Sequence, residues 1–225
     1  MLFDAHGDIL TDLYLQSNKG NKGSFRKKHL QHYQNAGVTH SIFVNWTDPN
    51  TDNPSEFREI WDNAFGEMEA YTDIFKVCLN TKDMDESVKE NKIGVILGME
   101  GIMQLEGVQH LRELYNKGVR HAGLTWNEVN KYSAGLSSET EGLTKLGKEI
   151  LSEMQKLGMI IDLAHSNPKS FDDILDFTEG PIIVSHGNTK ALCNHIRNYT
   201  NEQLLSLKKR NGVIGICGIG AFIAD

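Results

Sequence analysis

The sequence predicts an α/β protein, specifically a TIM-type (β/α)8 barrel with about seven strands present. Three observations point there. Short apolar runs alternate with longer amphipathic ones, as in a parallel sheet. Runs such as Val95-Ile96-Leu97 and Met159-Ile160-Ile161 lack polar alternation, as strands buried on both faces do. Nearly every run closes on a chemically active residue, and barrel enzymes build their sites at the C-terminal ends of strands. The alternative, an open doubly wound sheet, lacks its usual marker, because no glycine-rich phosphate loop follows the first strand.

The elements follow in order. The apolar runs are Leu2–Ile9, Val38–Trp46, Ile93–Met99, Val119–Trp126, Met159–Ala164, Pro181–Ser185 and Gly212–Ile219. Helices are expected over Glu56–Thr72, Val108–Lys117, Lys169–Phe177 and Asn201–Lys209. Leu143, Leu146, Ile150, Met154 and Leu157 form one apolar stripe, and Gly158 stands where a left-handed cap ends a helix. Asn167-Pro168 reads as a cap followed by proline at the first helical position, and Thr200 is a cap for the last helix. With no Ser/Pro-rich linker, residues 1–225 read as a single domain.

Composition narrows the function classes. With 23 Lys+Arg against 30 Asp+Glu the net charge is −7, a poor match to nucleic acid or anionic membrane surfaces. Three cysteines without C-x-x-C spacing indicate a reduced protein without a disulfide framework. The start Met1-Leu2-Phe3-Asp4-Ala5-His6 lacks signal-peptide character, and no run reaches the ~20 apolar residues of a membrane span. A cytoplasmic location is the expectation.

His6 and Asp8 lie two apart at the end of the first run, so both side chains can reach one ion; the pair also fits an ordinary polar strand end. Glu100, in Gly98-Met99-Glu100-Gly101, can bridge two cations or serve as a cap or salt-bridge partner. His165 and His186 close successive runs, and imidazole with carboxylate suits zinc or a similar ion. Arg197 can grip a substrate carboxylate bidentately or lie solvated at a helix end. His29 and His32 read as solvated on one helix, and His40, His110 and His121 as packing groups or supports for the site.

Taken together, these motifs resemble the membrane (renal) dipeptidase family of metallopeptidases. The resemblance runs through Asp4-Ala5-His6-Gly7-Asp8, His29-Leu30 to Ala36-Gly37-Val38, Gly98-Met99-Glu100-Gly101, Gly142-Leu143-Thr144 to His165-Ser166, and Ser185-His186 to Arg197-Asn198. It implies two zinc ions: His6 and Asp8 holding one, His165 and His186 the other, and Glu100 bridging them. It also implies a zinc-bridging hydroxide that attacks the peptide bond of a dipeptide, with Arg197 holding the C-terminal carboxylate. A related amidohydrolase acting on N-acyl amino acids is the alternative.

Two departures from the family pattern stand out. Trp126, in Leu124-Thr125-Trp126-Asn127, replaces a histidine that helps stabilise the tetrahedral intermediate in many animal members; indole cannot titrate, leaving Trp126 a role in shaping the substrate pocket. The family's eighth strand ends in an aspartate that shuttles protons. No eighth apolar run precedes Asp225, so this acid/base is expected to be missing from the chain. An incomplete barrel with open edges also raises the alternative of an inactive metal-binding chain, or of a homodimer in which a second copy covers the edge.

Overall fold

The computed structural model describes residues 2–180 and 182–224. They divide into two compact units, Met1–Met99 with Asn116–Arg120, and Glu100–Tyr115 with His121–Asp225. Pro181, at the head of one expected run, and Asp225 lie outside the described residues.

In the first unit, β1 (Leu2–Gly7) and β2 (Val38–Trp46) pair in parallel, with Asp4 opposite Ser41 and Gly7 opposite Phe43. A short β3 (Phe75–Val77) pairs in parallel with β4 (Ile93–Glu100, its last residue belonging to the second unit), which is buried along its whole length. The helices are α1 (Ile9–Asn18), α2 (Leu30–Ala36), α3 (Glu56–Ala70) and α4 (Thr81–Lys89), with one π-helical turn over Phe25–His29. Phe25 centres an aromatic cluster, its ring 4.7 Å from that of Phe75, 5.4 Å from Tyr33 and 5.7 Å from Phe43. Edge-on pairs of this kind add to the ~2 kcal/mol or more that burial of each large side chain provides.

In the second unit, β5 (Val119–Gly123, its first two residues belonging to the first unit), β6 (Ile160–Asp162), β7 (Ile182–Gly187) and β8 (Val213–Ile216) follow one another as parallel neighbours. The helices α5 (Val108–Asn116), α6 (Lys145–Leu157), α7 (Pro168–Phe177) and α8 (Asn201–Lys209) connect them. The expected caps form. Asn167 accepts from the Ser170 amide at 2.7 Å, Gly158 ends α6 at φ +67°, and Thr200 makes a reciprocal capping box with Gln203.

All seven apolar runs carry strands, and β3 is an addition: three residues, Phe75-Lys76-Val77, are too few to show a pattern. Two local expectations are corrected. Leu146 is 47% exposed and lies off the apolar stripe of α6, while Leu151 is fully buried. His29 is not simply solvated, since Asp12 Oδ2 lies 2.7 Å from its Nε2. Val213 and Ile216 of β8 are 62% and 79% exposed.

Candidate metal centre

Expected site residues fall in each of the two units. In the first, β1 ends at Gly7 and Asp8 opens α1, so Asp8 lies just past the strand. The turn still brings the pair together, with His6 Nε2 3.5 Å from Asp8 Oδ1. Asp4 supports this segment. Its Oδ2 accepts from Tyr33 Oη at 2.9 Å and Ser41 Oγ at 3.1 Å, and burial together with the Asp4 charge pushes the Tyr33 phenol far above its usual range.

The second unit gathers five of the expected residues. Glu100, at the end of β4, is buried; its Oε1 lies 3.0 Å from His165 Nε2 and 3.5 Å from His186 Nε2. The two Nε2 atoms are 3.0 Å apart. Arg197, expected to be either a substrate clamp or a solvated helix-end residue, is buried and points Nη2 at His186 Nε2 over 2.8 Å. Trp126 is half-buried, its ring 5.9 Å from that of His165.

Neighbours set the ring orientations. His165 Nδ1 lies 2.9 Å from Asn127 Oδ1; an amide oxygen only accepts, so Nδ1 carries the proton and Nε2 faces Glu100 and His186. A guanidinium only donates, so His186 Nε2 presents its lone pair to Arg197, and its Nδ1 meets Ser185 Oγ at 3.0 Å. Imidazole nitrogens and a carboxylate oxygen therefore converge within 3.5 Å, the donor types that zinc takes. The chemistry of this set fits a divalent metal.

Two backbone features place these groups. His165 adopts φ +65°, a left-handed conformation that costs a non-glycine residue ~1–2 kcal/mol. Gly101, directly after Glu100, has φ +73°, and a Cβ there would lie 3.2 Å from the Trp126 amide nitrogen.

Beneath the histidines is a group that sequence reasoning did not single out. Asp162 is 4% exposed. Its Oδ2 lies 3.1 Å from His121 Nε2, and its Oδ1 accepts from the amides of Ala164 and Ser185, each at 2.9 Å. Burial by itself would raise this carboxyl, but the hydrogen bond and charge of His121 outweigh it and hold Asp162 well below the usual carboxylate range. The signal available in the sequence was a lone carboxylate inside the apolar run Met159–Ala164. Asn127, which fixes His165, gave no signal beyond standing beside Trp126.

Comparison with known proteins decides the family. The family model for membrane dipeptidase (peptidase family M19) matches residues 1–225. The chain belongs to this family. A metallopeptidase of Rhodobacter sphaeroides, solved with a phosphinate mimic of the dipeptide L-Ala-D-Ala, shares the fold with TM-score 0.89 and 21% identity, over 99% of this chain and 75% of that one. A dipeptidase described as a metallopeptidase of family M19 aligns with TM-score 0.88 and 22% identity, over 98% of this chain and 73% of that one. The fold of this membrane dipeptidase family member is therefore the expected TIM-like α/β fold. In sequence, an uncharacterized dipeptidase of Schizosaccharomyces pombe is 30% identical over 99% of this chain and 60% of its own length. An uncharacterized Acinetobacter calcoaceticus protein is 27% identical over 96% of this chain and 79% of its own. The chain thus spans between about three fifths and four fifths of these curated relatives. Membership in family M19 makes metal dependence a property of the protein. Among the described residues no helix is long and apolar enough to cross a membrane.

Proposed function

We propose that this protein is a metal-dependent dipeptidase whose ions are held by His6, Asp8, Glu100, His165 and His186. The observation that carries the reading is the convergence of Glu100, His165 and His186 beside a buried Arg197. Two zinc ions, when bound, would supply the Lewis acidity that lowers the pKa of water and polarises a peptide carbonyl. Glu100, with two carboxylate oxygens, would be shared between the ions, and the histidines would offer ring nitrogens to them. Arg197 pairs with the C-terminal carboxylate of the substrate, which selects dipeptides over longer chains, and Trp126 lines the substrate pocket. The Rhodobacter sphaeroides metallopeptidase that binds a mimic of L-Ala-D-Ala supports a dipeptide as the ligand class. The two units act as one domain in this reading, which the single family match across residues 1–225 supports.

A cytoplasmic setting belongs to the proposal, supported by three unbridged cysteines. So does a homodimer, supported by the exposed Val213 and Ile216 of β8; sedimentation as a monomer at micromolar concentration would remove that part.

The test is to measure zinc per chain and release of amino acids from dipeptides, with N-acyl amino acids alongside, on the full-length protein. Zinc near two per chain with dipeptide cleavage is expected. A folded, zinc-loaded protein that cleaves no dipeptide overturns the activity; preference for N-acyl amino acids overturns the substrate class.

A further inference from the structure

We propose that Asp162 is a positioning residue that sets the spacing of the His165 and His186 imidazoles from a single carboxylate. The inference rests on the metal-site reading above. Asp162 Oδ1 accepts two amides, those of Ala164 and Ser185, each at 2.9 Å. These residues immediately precede His165 and His186. One oxygen atom therefore ties the backbone just past β6 to the backbone inside β7, one residue before each imidazole.

The other oxygen anchors the clamp. Oδ2 meets His121 Nε2 at 3.1 Å, and His121 is fully buried on β5. Among the described residues His121 Nδ1 has no hydrogen-bond partner, so the ring's polar hold on its surroundings runs through Asp162. Three neighbouring strands thus converge on one carboxylate, and hydrogen bonds to a charged acceptor are about twice as strong as neutral ones. Above the clamp, His165 holds its left-handed φ of +65°, a conformation that persists only where neighbouring contacts over-determine it. Tyr199 Oη adds a hydrogen bond of 3.2 Å to the Leu163 carbonyl on the same turn.

A group that orients metal ligands from behind changes metal affinity by roughly 10- to 100-fold when removed. A group that merely stabilises the fold leaves the affinity of the folded fraction unchanged. The experiment uses full-length wild type, Asp162→Ala and Asp162→Asn, each shown to be folded by circular dichroism below its melting temperature. Zinc affinity is measured by competition with a chromophoric chelator, and the visible spectrum of the cobalt-substituted protein reports ligand geometry. Asp162→Asn keeps an oxygen for the two amides and is expected to bind zinc more tightly than Asp162→Ala. Asp162→Ala is expected to lose about 10-fold or more relative to wild type, with an altered cobalt spectrum. If Asp162→Ala does not fold, Asp162→Asn carries the test with an expected loss of about threefold or more, since it replaces a charged acceptor by a neutral one. Wild-type affinity and spectrum in a folded variant overturn the positioning role alone. A wild-type protein that binds no zinc overturns the metal reading, and this inference with it.

Discussion

Arg197 Nη2 stands 2.8 Å from His186 Nε2, so a buried guanidinium and a histidine expected to bind metal share one lone pair. With that lone pair given to a metal ion, the guanidinium would be free to pair with a ligand carboxylate. Arg197→Ala is expected to lower kcat/KM for dipeptides by roughly 100-fold, the cost of an unpaired carboxylate at ~3 kcal/mol, mostly through KM. Dipeptide C-terminal amides, which lack the charge, should be cleaved alike by both proteins. Equal loss on the amides would show that Arg197 serves the fold instead.

Removing either histidine should remove metal-linked stability. At a hundredfold excess of zinc over its dissociation constant, wild type gains about 2.7 kcal/mol, read as a rise in Tm. His165→Ala and His186→Ala are expected to show little of that rise and less bound zinc by elemental analysis. A zinc response equal to wild type in both would exclude them as ligands.

Gly101 is the next position to probe. Its φ of +73° and the 3.2 Å approach of the Trp126 amide leave no relaxed place for a methyl group. Gly101→Ala should destabilise by ~1–2 kcal/mol, a fall in Tm of roughly 2–8 °C for a chain of this size. An unchanged melting curve would mean that the turn adjusts freely.

Acid should act through Asp12. Burial opposes its ionisation, but hydrogen bonds from Lys28 and His29 prevail and bring the carboxyl down to about 2. A depressed carboxyl contributes stability in full above its unfolded value, about 3.9, and loses it as the pH falls toward 2. Asp12→Asn should therefore be less stable than wild type at pH 6, with the gap closing between about pH 4 and 2. Denaturant titrations along that range check it; a gap constant with pH would refute the assignment.

Thiol chemistry offers a separate check. Cys78 is 2% exposed, and burial pushes its thiol up to about 11. Iodoacetamide at pH 8 should leave Cys78 unmodified in the native protein and label it after unfolding, as read by peptide mass spectrometry. Rapid native labelling would show that this part of the core opens readily.

Much of the fold was legible because parallel strands buried on both faces write themselves as apolar runs, and caps as Asn167-Pro168, Thr200 and Gly158. The histidines and Glu100 were legible as strand-end chemistry. His121 and Asp162 were not paired in advance, because their contact depends on the register of β5 against β6, in which His121 lies opposite Ile160 and Gly123 opposite Asp162. No local pattern specifies that offset. The exposure of Leu146 was hidden for a similar reason: hydrophobicity marks a side chain fit for burial, and only packing decides whether a neighbour covers it. Asp12 and His29 are far apart in sequence, and their pairing needs the turn over Phe25–His29.

The backbone at His165 has a consequence for selection experiments. A library at position 165 screened for thermal stability should enrich glycine and asparagine, the residues most at ease at φ +65°. The same library screened for turnover should return histidine. The two screens would rank one position in opposite orders, marking where folding and chemistry have competing preferences for a single side chain.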